Sequence, residues 1–277
     1  MSTNHLHQQN AEAALAAQVR DLHDEGEALH TVLRTLAAAD WARVTTFKNW
    51  RVWDVVAHLH LSDHMGLRAL EGEDRFRALM REMRAHGGSM ADFARDWLAG
   101  VDGAALCVRW RRDLEALCEG LAATDPEQRL PWVGPGMKPR MFATARQMET
   151  WAHGWEVHDL LNLPRHHTDR LRNIATIGVR TFAWSFENRG EPVPGDPPHV
   201  RLTAPSGTVW TWNDPAAADR IEGDAVEFCQ VVTQVRNVAD TRLRVQGEVA
   251  DRWMAVAQCF AGPPEEPPAP GTRVPNP

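Results

Sequence analysis

Apolar residues in the first half of the chain recur every three or four positions, which is the spacing of amphipathic helices. This pattern predicts one helix over residues 10–38 and a second from Asn49 or Trp50 to about Leu70. Residues 74–120 are predicted to be helical, with a break at 86–89 where Ser89 can cap the helix that follows. A further strong helix is predicted over residues 109–121.

Proline and glycine then interrupt the pattern. Residues 131–139 hold three prolines and two glycines and are predicted to form a loop. A helix follows from about Met141 to Leu161, and Pro164 ends it. We therefore predict a flexible N-terminus over residues 1–9 and, over residues 10–164, an antiparallel four-helix bundle with short additional helices.

The second half mixes helical and alternating patterns. Helices are predicted at 169–188, 224–238 and 250–260, and a short strand at 243–246. The segments 200–204 and 208–212 alternate around Ser206-Gly207, which predicts a β-hairpin. Residues 165–262 are thus expected to form a small α+β domain, so that the fold is α+β overall. The tail 263–277 contains seven prolines and is predicted to be disordered.

Charge and composition exclude several classes of protein. The formal net charge is −7, which argues against a protein that grips a nucleic-acid backbone. No apolar run approaches the ~20 residues that span a bilayer, and the polar start of the chain resembles no signal peptide. The four cysteines form no CxxC pair and are expected to be reduced thiols. We expect a cytoplasmic protein with no nucleic-acid or membrane partner, and its oligomeric state stays open.

Histidines and carboxylates are concentrated in two of the predicted bundle helices. Glu149 and His153 are four positions apart and therefore lie one turn apart on one helical face, where both can bind the same metal ion. A third ligand from a facing helix would complete an open metal site. The spacing does not choose between His58 and the pair His60 and His64, and such histidines are also common as solvated or hydrogen-bonded side chains.

A wider motif carries a resemblance. The segment 53–59 (Trp-Asp-Val-Val-Ala-His-Leu), followed later by Glu149-x-x-x-His153, resembles the DinB-like superfamily and, within it, the mycothiol-dependent maleylpyruvate isomerase family. Residues 202–207, 228–234 and 257–262 resemble an actinobacterial branch of these proteins. The resemblance covers nearly the whole chain up to Gly262. It implies that His58, Glu149 and His153 hold a divalent metal ion, with zinc expected.

The resemblance also implies the chemistry. A metal-bound thiolate, supplied by mycothiol or a similar small thiol, attacks a small electrophilic, acidic or unsaturated substrate, and the enzyme is a transferase or isomerase. Arg236 matches an arginine that holds an acidic substrate, and Glu156 is a candidate base because it lies on the ligand stripe. The alternatives are a hydrolase that uses metal-bound water and a non-catalytic metal-binding module.

Overall fold

The structure, a computed structural model, describes residues 3–273. It divides into two compact units, Met1–Leu160 and Leu161–Pro277. Within the described residues, no helix combines the length and the apolar character needed to cross a membrane.

The first unit is a bundle of long helices. Two shorter helices join its second and third long helices. Together with the α+β second unit, this arrangement confirms the predicted fold class. The helices of this unit are α1 (Thr3–Leu33), α2 (Val52–Leu70), α3 (Glu73–His86), α4 (Met90–Trp97), α5 (Gly103–Ala122) and α6 (Pro139–Leu161).

Local signals set the helix ends where the sequence places them. Gly87 ends α3 in the left-handed region with φ 75°, which costs a residue without Cβ little. The Ser89 hydroxyl accepts a hydrogen bond from the Asp92 backbone N–H, so Ser89 caps α4 as predicted. The Asp102 carboxylate caps α5 in the same way by accepting from the Ala105 N–H at 2.8 Å.

Contacts along α2 fix the direction of its neighbours. Asp63 accepts a hydrogen bond from Trp110, and a Cβ on Gly66 would meet Leu117, so α2 and α5 run parallel to each other. The predicted antiparallel arrangement is therefore wrong for this pair of helices. The chain can do this because α3 and α4 carry it back between them. Helix α6 is antiparallel to α2. Asp63 pairs with Arg146, whereas His58, which lies earlier in α2, contacts Glu149, which lies later in α6.

A buried polar network joins three of these helices. The carboxylate of Asp63, which is fully buried, accepts from Arg146 Nε at 2.8 Å and from Trp110 Nε1 at 3.0 Å. Burial raises the pKa of Asp63, and Arg146 and Trp110 oppose this by stabilising the anion. The network fixes α6 against α2 three residues before Glu149.

Helix α1 begins at Thr3, inside the segment 1–9 that was predicted to be flexible. No proline or glycine occurs before Gly26, so nothing in the sequence stops the helix from extending toward the N-terminus. Residues 3–9 therefore belong to the helix and do not form a loop.

The second unit holds a mixed sheet within the described residues. Its strands are β1 (His199–Thr203), β2 (Val209–Trp212), β3 (Arg220–Asp224) and β4 (Arg244–Gln246), in the order β2-β1-β3-β4. Strands β1 and β2 form the predicted antiparallel hairpin, with Val200 opposite Trp212. The sequence missed β3, which pairs parallel to β1, because the segment holds one buried apolar residue, Ile221, and shows no alternation.

The helices of the second unit are shorter than predicted. The helix expected at 169–188 is divided at Thr181, whose hydroxyl bonds the carbonyls of Ile177 and Gly178. This kind of bond competes with the regular helical pattern. The observed helices are α7 (Leu171–Arg180), α8 (Phe182–Glu187), α9 (Ala225–Val232) and α10 (Glu248–Val256).

The prediction of a disordered tail at 263–277 is wrong for the part that the structure describes. The Gln234 amide donates to the carbonyl of Glu265 at 2.9 Å, and the Asn237 amide donates to that of Pro268 at 2.9 Å. Arg189 pairs with Glu266 at 2.6 Å. Prolines lack a donor but keep their carbonyl acceptors, so side-chain amides can hold such a segment. Residues 274–277 lie outside the described residues.

Candidate metal centre

A capping network fixes the start of α2, one turn before His58. The Asp54 carboxylate accepts from the Arg51 backbone N–H at 2.9 Å and from Arg95 Nε at 2.8 Å. Burial opposes ionisation of Asp54, but the hydrogen bonds from both arginines outweigh it and lower the pKa of this carboxyl. His58 therefore projects from a helix whose first turn is held by a charged cap.

Helix α6 presents the other two side chains. It starts at Pro139, a favoured residue in the first turn because its missing N–H would have no partner there. Glu149 and His153 follow in the middle of the helix, one turn apart on one face. The antiparallel packing of α6 on α2 brings this face to His58.

The three side chains converge between α2 and α6. His58 Nε2 lies 3.3 Å from Glu149 Oε2, and His153 Nε2 lies 3.5 Å from the same oxygen. One ligand atom from each residue lies within 4.8 Å of the others. Their side chains are 18%, 24% and 12% exposed, so the cluster is partly covered and still open to small molecules.

This geometry fits a divalent ion. Nitrogen and oxygen ligands at about 2.0–2.1 Å from a tetrahedral zinc ion are about 3.3 Å apart. The two distances to Glu149 match that separation within a few tenths of an ångström. Three protein ligands leave a coordination position for an exogenous group, as in catalytic zinc sites.

The electrostatics favour the protonation states that metal ligands need. Burial works against ionisation of Glu149, yet hydrogen bonds from His153 and His58 hold its pKa well below the ordinary value. Burial lowers the pKa of His153, which favours the neutral imidazole against the opposing effect of Glu149. An anionic carboxylate and neutral imidazoles are the forms that bind a metal.

Two aromatic rings form a wall on one side of the cluster. Trp50 stacks on His153 at 6.0 Å with an interplanar angle of 15°, and its ring lies 5.4 Å from that of His58. Phe47 meets His153 edge-on at 5.1 Å. A tight turn places both rings, since Lys48 and Asn49 have φ of 49° and 56° and the Trp50 N–H bonds the Phe47 carbonyl at 2.8 Å.

The sequence pattern did not identify Phe47 and Trp50 as part of the site. The available signal was Asn49, since asparagine tolerates the left-handed conformation better than most residues. Nothing local to the sequence, however, indicates that the turn folds onto α6.

Comparisons with known proteins identify the family of this chain. The model of the mycothiol maleylpyruvate isomerase N-terminal domain matches residues 22–158. Uncharacterized proteins of Mycobacterium tuberculosis, from strains CDC 1551 / Oshkosh and H37Rv, are 39% identical to the chain over 246 residues, which covers 89% of this chain and 96% of each relative. The chain belongs to the mycothiol-dependent maleylpyruvate isomerase family.

A solved structure shares the fold. The crystal structure of the mycothiol-dependent maleylpyruvate isomerase superposes with a TM-score of 0.51 at 12% identity, over 78% of this chain and 88% of that one. At this identity the likeness shows the fold alone. The family predicted from the motif around His58 and Glu149 is confirmed.

The alternative histidine pair of this family member lies elsewhere. His60 and His64 both point Nδ1 at Asp113 Oδ2, at 3.6 and 3.5 Å, and neither belongs to the His58 cluster. Burial lowers the pKa of His60 to about 4, so its imidazole is neutral at neutral pH. No local pattern in the sequence indicates Asp113, which lies on α5.

Two other candidate residues are buried. Glu156, two turns after Glu149 on α6, is 4% exposed and lies outside the metal-ligand cluster that the described residues form. Arg236, in the second unit, is 2% exposed and donates to the Val235 carbonyl. A role for Glu156 as a base and for Arg236 in holding substrate stays a prediction.

Three of the four cysteines of this family member are poor nucleophiles. All four are buried. Burial raises the pKa of Cys107 to about 11 and that of Cys118 to about 12, and it raises that of Cys229 well above the ordinary value. These three thiols stay protonated at neutral pH, and a protonated thiol is unreactive as a nucleophile.

Proposed function

We propose that this protein binds one divalent metal ion, zinc or a similar ion, through His58, Glu149 and His153 and uses it in thiol chemistry. The observation that carries the proposal is the convergence of these side chains between α2 and α6, in a chain that belongs to a mycothiol-dependent family. The second ingredient, a thiol, has to come from outside the chain because the cysteines are buried.

The ligand set suits activation of sulfur. His58, Glu149 and His153 would hold a divalent ion with two neutral nitrogens and one negative charge, and such an ion would supply the positive charge that stabilises a small thiol as its thiolate. His58 and His153 contribute neutral nitrogens, and Glu149 contributes the single negative charge. Phe47 and Trp50 shield one side of the site from water and offer an apolar surface to the co-substrate.

The reaction we propose is attack by the thiolate of mycothiol, or of a similar small thiol, on a small electrophilic substrate that is acidic or unsaturated. In an isomerase, a carbon–sulfur bond forms at a conjugated double bond, and rotation follows about the carbon–carbon bond that was double. The carbon–sulfur bond then breaks, which restores the double bond and releases the thiol. In a transferase, the new carbon–sulfur bond remains in the product. Both reactions need the same activated sulfur.

Glu156 is a candidate because it lies on the same stripe of α6 as the metal ligands, and Arg236 is a candidate because it matches an arginine of the resembled family. We expect Glu156 to act as a base or to position a ligand, and Arg236 to hold the acidic group of the substrate. Glu156→Gln should therefore lower kcat while the protein keeps its metal. Loss of the metal in this variant would show instead that Glu156 acts on metal binding.

Metal content is the first test. The purified wild type should contain about one equivalent of metal, and His58→Ala, Glu149→Gln and His153→Ala should each lose it. His64→Ala is the matched control, since it removes a histidine from another face of α2 and should keep the metal. A folded wild type without metal, or ligand variants that retain it, would refute the site.

Thiol dependence is the second test. The metal-loaded protein is incubated with mycothiol and a panel of electrophiles that includes maleylpyruvate, and adducts and isomers are followed by mass spectrometry. Products should require both the thiol and the metal. Turnover without thiol would establish a metal-dependent hydrolase instead, and tight metal binding without any turnover would establish a binding module.

A further inference from the structure

A cavity separate from the metal centre lies between α2, α4 and α5. It has a volume of about 370 Å³. Helix α2 lines it with His60, His64 and Arg68, which follow one another at intervals of four residues and form one stripe. Helix α5 faces this stripe with Arg109 and Asp113, also four residues apart.

The inner end of the cavity is polar and incompletely paired. His60 and Asp113 are 2% and 6% exposed. One carboxylate oxygen of Asp113 lies 3.6 Å from His60 Nδ1, and this buried ring nitrogen has no hydrogen-bond partner among the described residues. Buried polar atoms are nearly always paired with protein, water or a ligand, so this end of the cavity is built to receive a polar group.

Guanidinium groups give the cavity its charge. Arg112 donates two hydrogen bonds to Asp113 Oδ1, from Nε at 3.1 Å and from Nη2 at 2.9 Å. Arg68 pairs with Glu71 through Nη2 at 2.7 Å. The buried Nε of Arg68 has no hydrogen-bond partner within residues 3–273. Arg109 likewise has no ion-pair partner in the described part of the chain. The cavity therefore keeps a net positive charge on a protein whose formal charge is −7.

An aromatic ring closes one side. The indole of Trp97 stacks on His60, with ring centroids 5.1 Å apart and an interplanar angle of 23°, and tilts over His64 at 4.9 Å. Trp97 is still 36% exposed. It thus holds the imidazoles in place and leaves part of its own surface for a ligand.

We propose that this cavity is a binding site for a small oxyanion, a carboxylate or phosphate group, held by Arg68, Arg109 and Arg112. Guanidinium forks match the oxygen pairs of such groups, and a hydrogen bond to a charged group is stronger than a neutral one. The three arginines make the same cavity unfavourable for a metal ion, although it contains two histidines and a carboxylate.

The site is independent of the metal centre. His60 follows His58 by two positions, which places the two side chains about 200° apart around the helix axis. The His58 cluster faces α6, whereas the stripe that begins at His60 faces α5. Anion binding here should therefore persist when the metal ligands are removed.

Isothermal titration calorimetry with inorganic phosphate and with benzoate, on the metal-loaded full chain at constant ionic strength, tests the proposal. Benzoate and phosphate separate the two possible sources of the oxyanion. We expect one of them to bind with a dissociation constant of about 1 mM or below. Arg109→Gln and Arg112→Gln should each weaken that binding by about tenfold or more.

Two controls make the result specific. Arg77→Gln removes a guanidinium whose side chain is 63% exposed on α3 and should leave the affinity unchanged. His153→Ala should also leave it unchanged, even though this variant lacks a metal ligand. The proposal is overturned if neither anion binds, if Arg77→Gln weakens binding as much as Arg109→Gln does, or if binding disappears in His153→Ala.

Discussion

Replacing Asp63 by asparagine should destabilise the bundle strongly, because it leaves a buried guanidinium without its counter-ion. Asp63 is fully buried, and its partner Arg146 has a side chain that is 3% exposed. Asparagine has nearly the same size and can still accept from Trp110 Nε1, so the change removes charge and little else. Its amide presents no anionic oxygen to Arg146 Nε, which now lies 2.8 Å from Asp63 Oδ1.

The magnitude follows from the burial of both partners. Breaking a buried ion pair by removing one partner costs about 3–5 kcal/mol. A denaturant slope of about 2 kcal/mol per molar urea converts this loss into a midpoint about 2 M lower. Since a domain is stable by only about 5–15 kcal/mol, the variant should remain folded in dilute buffer with a much smaller margin.

Urea unfolding followed by circular dichroism in the presence of EDTA measures this loss without a contribution from bound metal. Glu73→Gln is the control, because Glu73 pairs with Arg77 at 2.6 Å and both side chains are more than half exposed. It should cost less than about 1 kcal/mol. The two variants therefore compare the loss of a carboxylate from a buried ion pair with the same loss from a solvent-exposed ion pair.

The double variant Asp63→Leu with Arg146→Met separates the charge from the packing. It removes both charges and leaves the Trp110 N–H without an acceptor, a penalty of about 1–3 kcal/mol. The double variant should therefore be more stable than Asp63→Asn. If it is equally unstable, or if Asp63→Asn behaves like Glu73→Gln, the reasoning about an unpaired buried charge is wrong.

Three further predictions concern packing, pH and metal. In Gly103→Ala the new Cβ would lie 2.1 Å from ring atoms of the buried Trp41. We therefore expect the free energy of unfolding, measured in urea, to fall by about 1–3 kcal/mol. The control Gly134→Ala places its Cβ where no atom lies within 4 Å and should leave the stability unchanged. Because the folded-state pKa of Asp54 is lowered, its stabilising effect is present at neutral pH and is lost as the pH falls below about 4. The difference in unfolding free energy between wild type and Asp54→Asn, measured with EDTA, should thus shrink from pH 7 to pH 3. EDTA should lower the melting temperature of the metal-loaded wild type and leave that of His58→Ala unchanged.

A different result would contradict each of these three predictions. Equal midpoints for both glycine variants would mean that the indole of Trp41 moves aside without cost. A difference for Asp54→Asn that grows in acid would contradict the sign of the pKa shift. A melting temperature that responds to EDTA in His58→Ala would place the metal elsewhere.

The helices of the bundle and part of the site could be predicted because their causes are local. Helical periodicity spans neighbouring residues, and Ser89 caps α4 through a bond to a residue three positions away. The pairing of Glu149 with His153 follows from the same geometry, since residues four apart share a helical face. The hairpin around Ser206-Gly207 could also be predicted, because Gly207, with φ 85°, adopts the left-handed backbone conformation that the turn needs.

Contacts between distant segments were decided by the tertiary structure. Spacing could not choose between His58 and the His60 and His64 pair, because the choice depends on which face of α2 packs against α6. Only the packed bundle shows Asp113 between the two other histidines and the rings of Phe47 and Trp50 beside the cluster. The same holds for β3, whose parallel partner β1 lies earlier in the chain, beyond the reach of any local pattern. Side-chain spacing along a helix is set by the backbone, whereas the partner of each face is set by how the helices and strands pack.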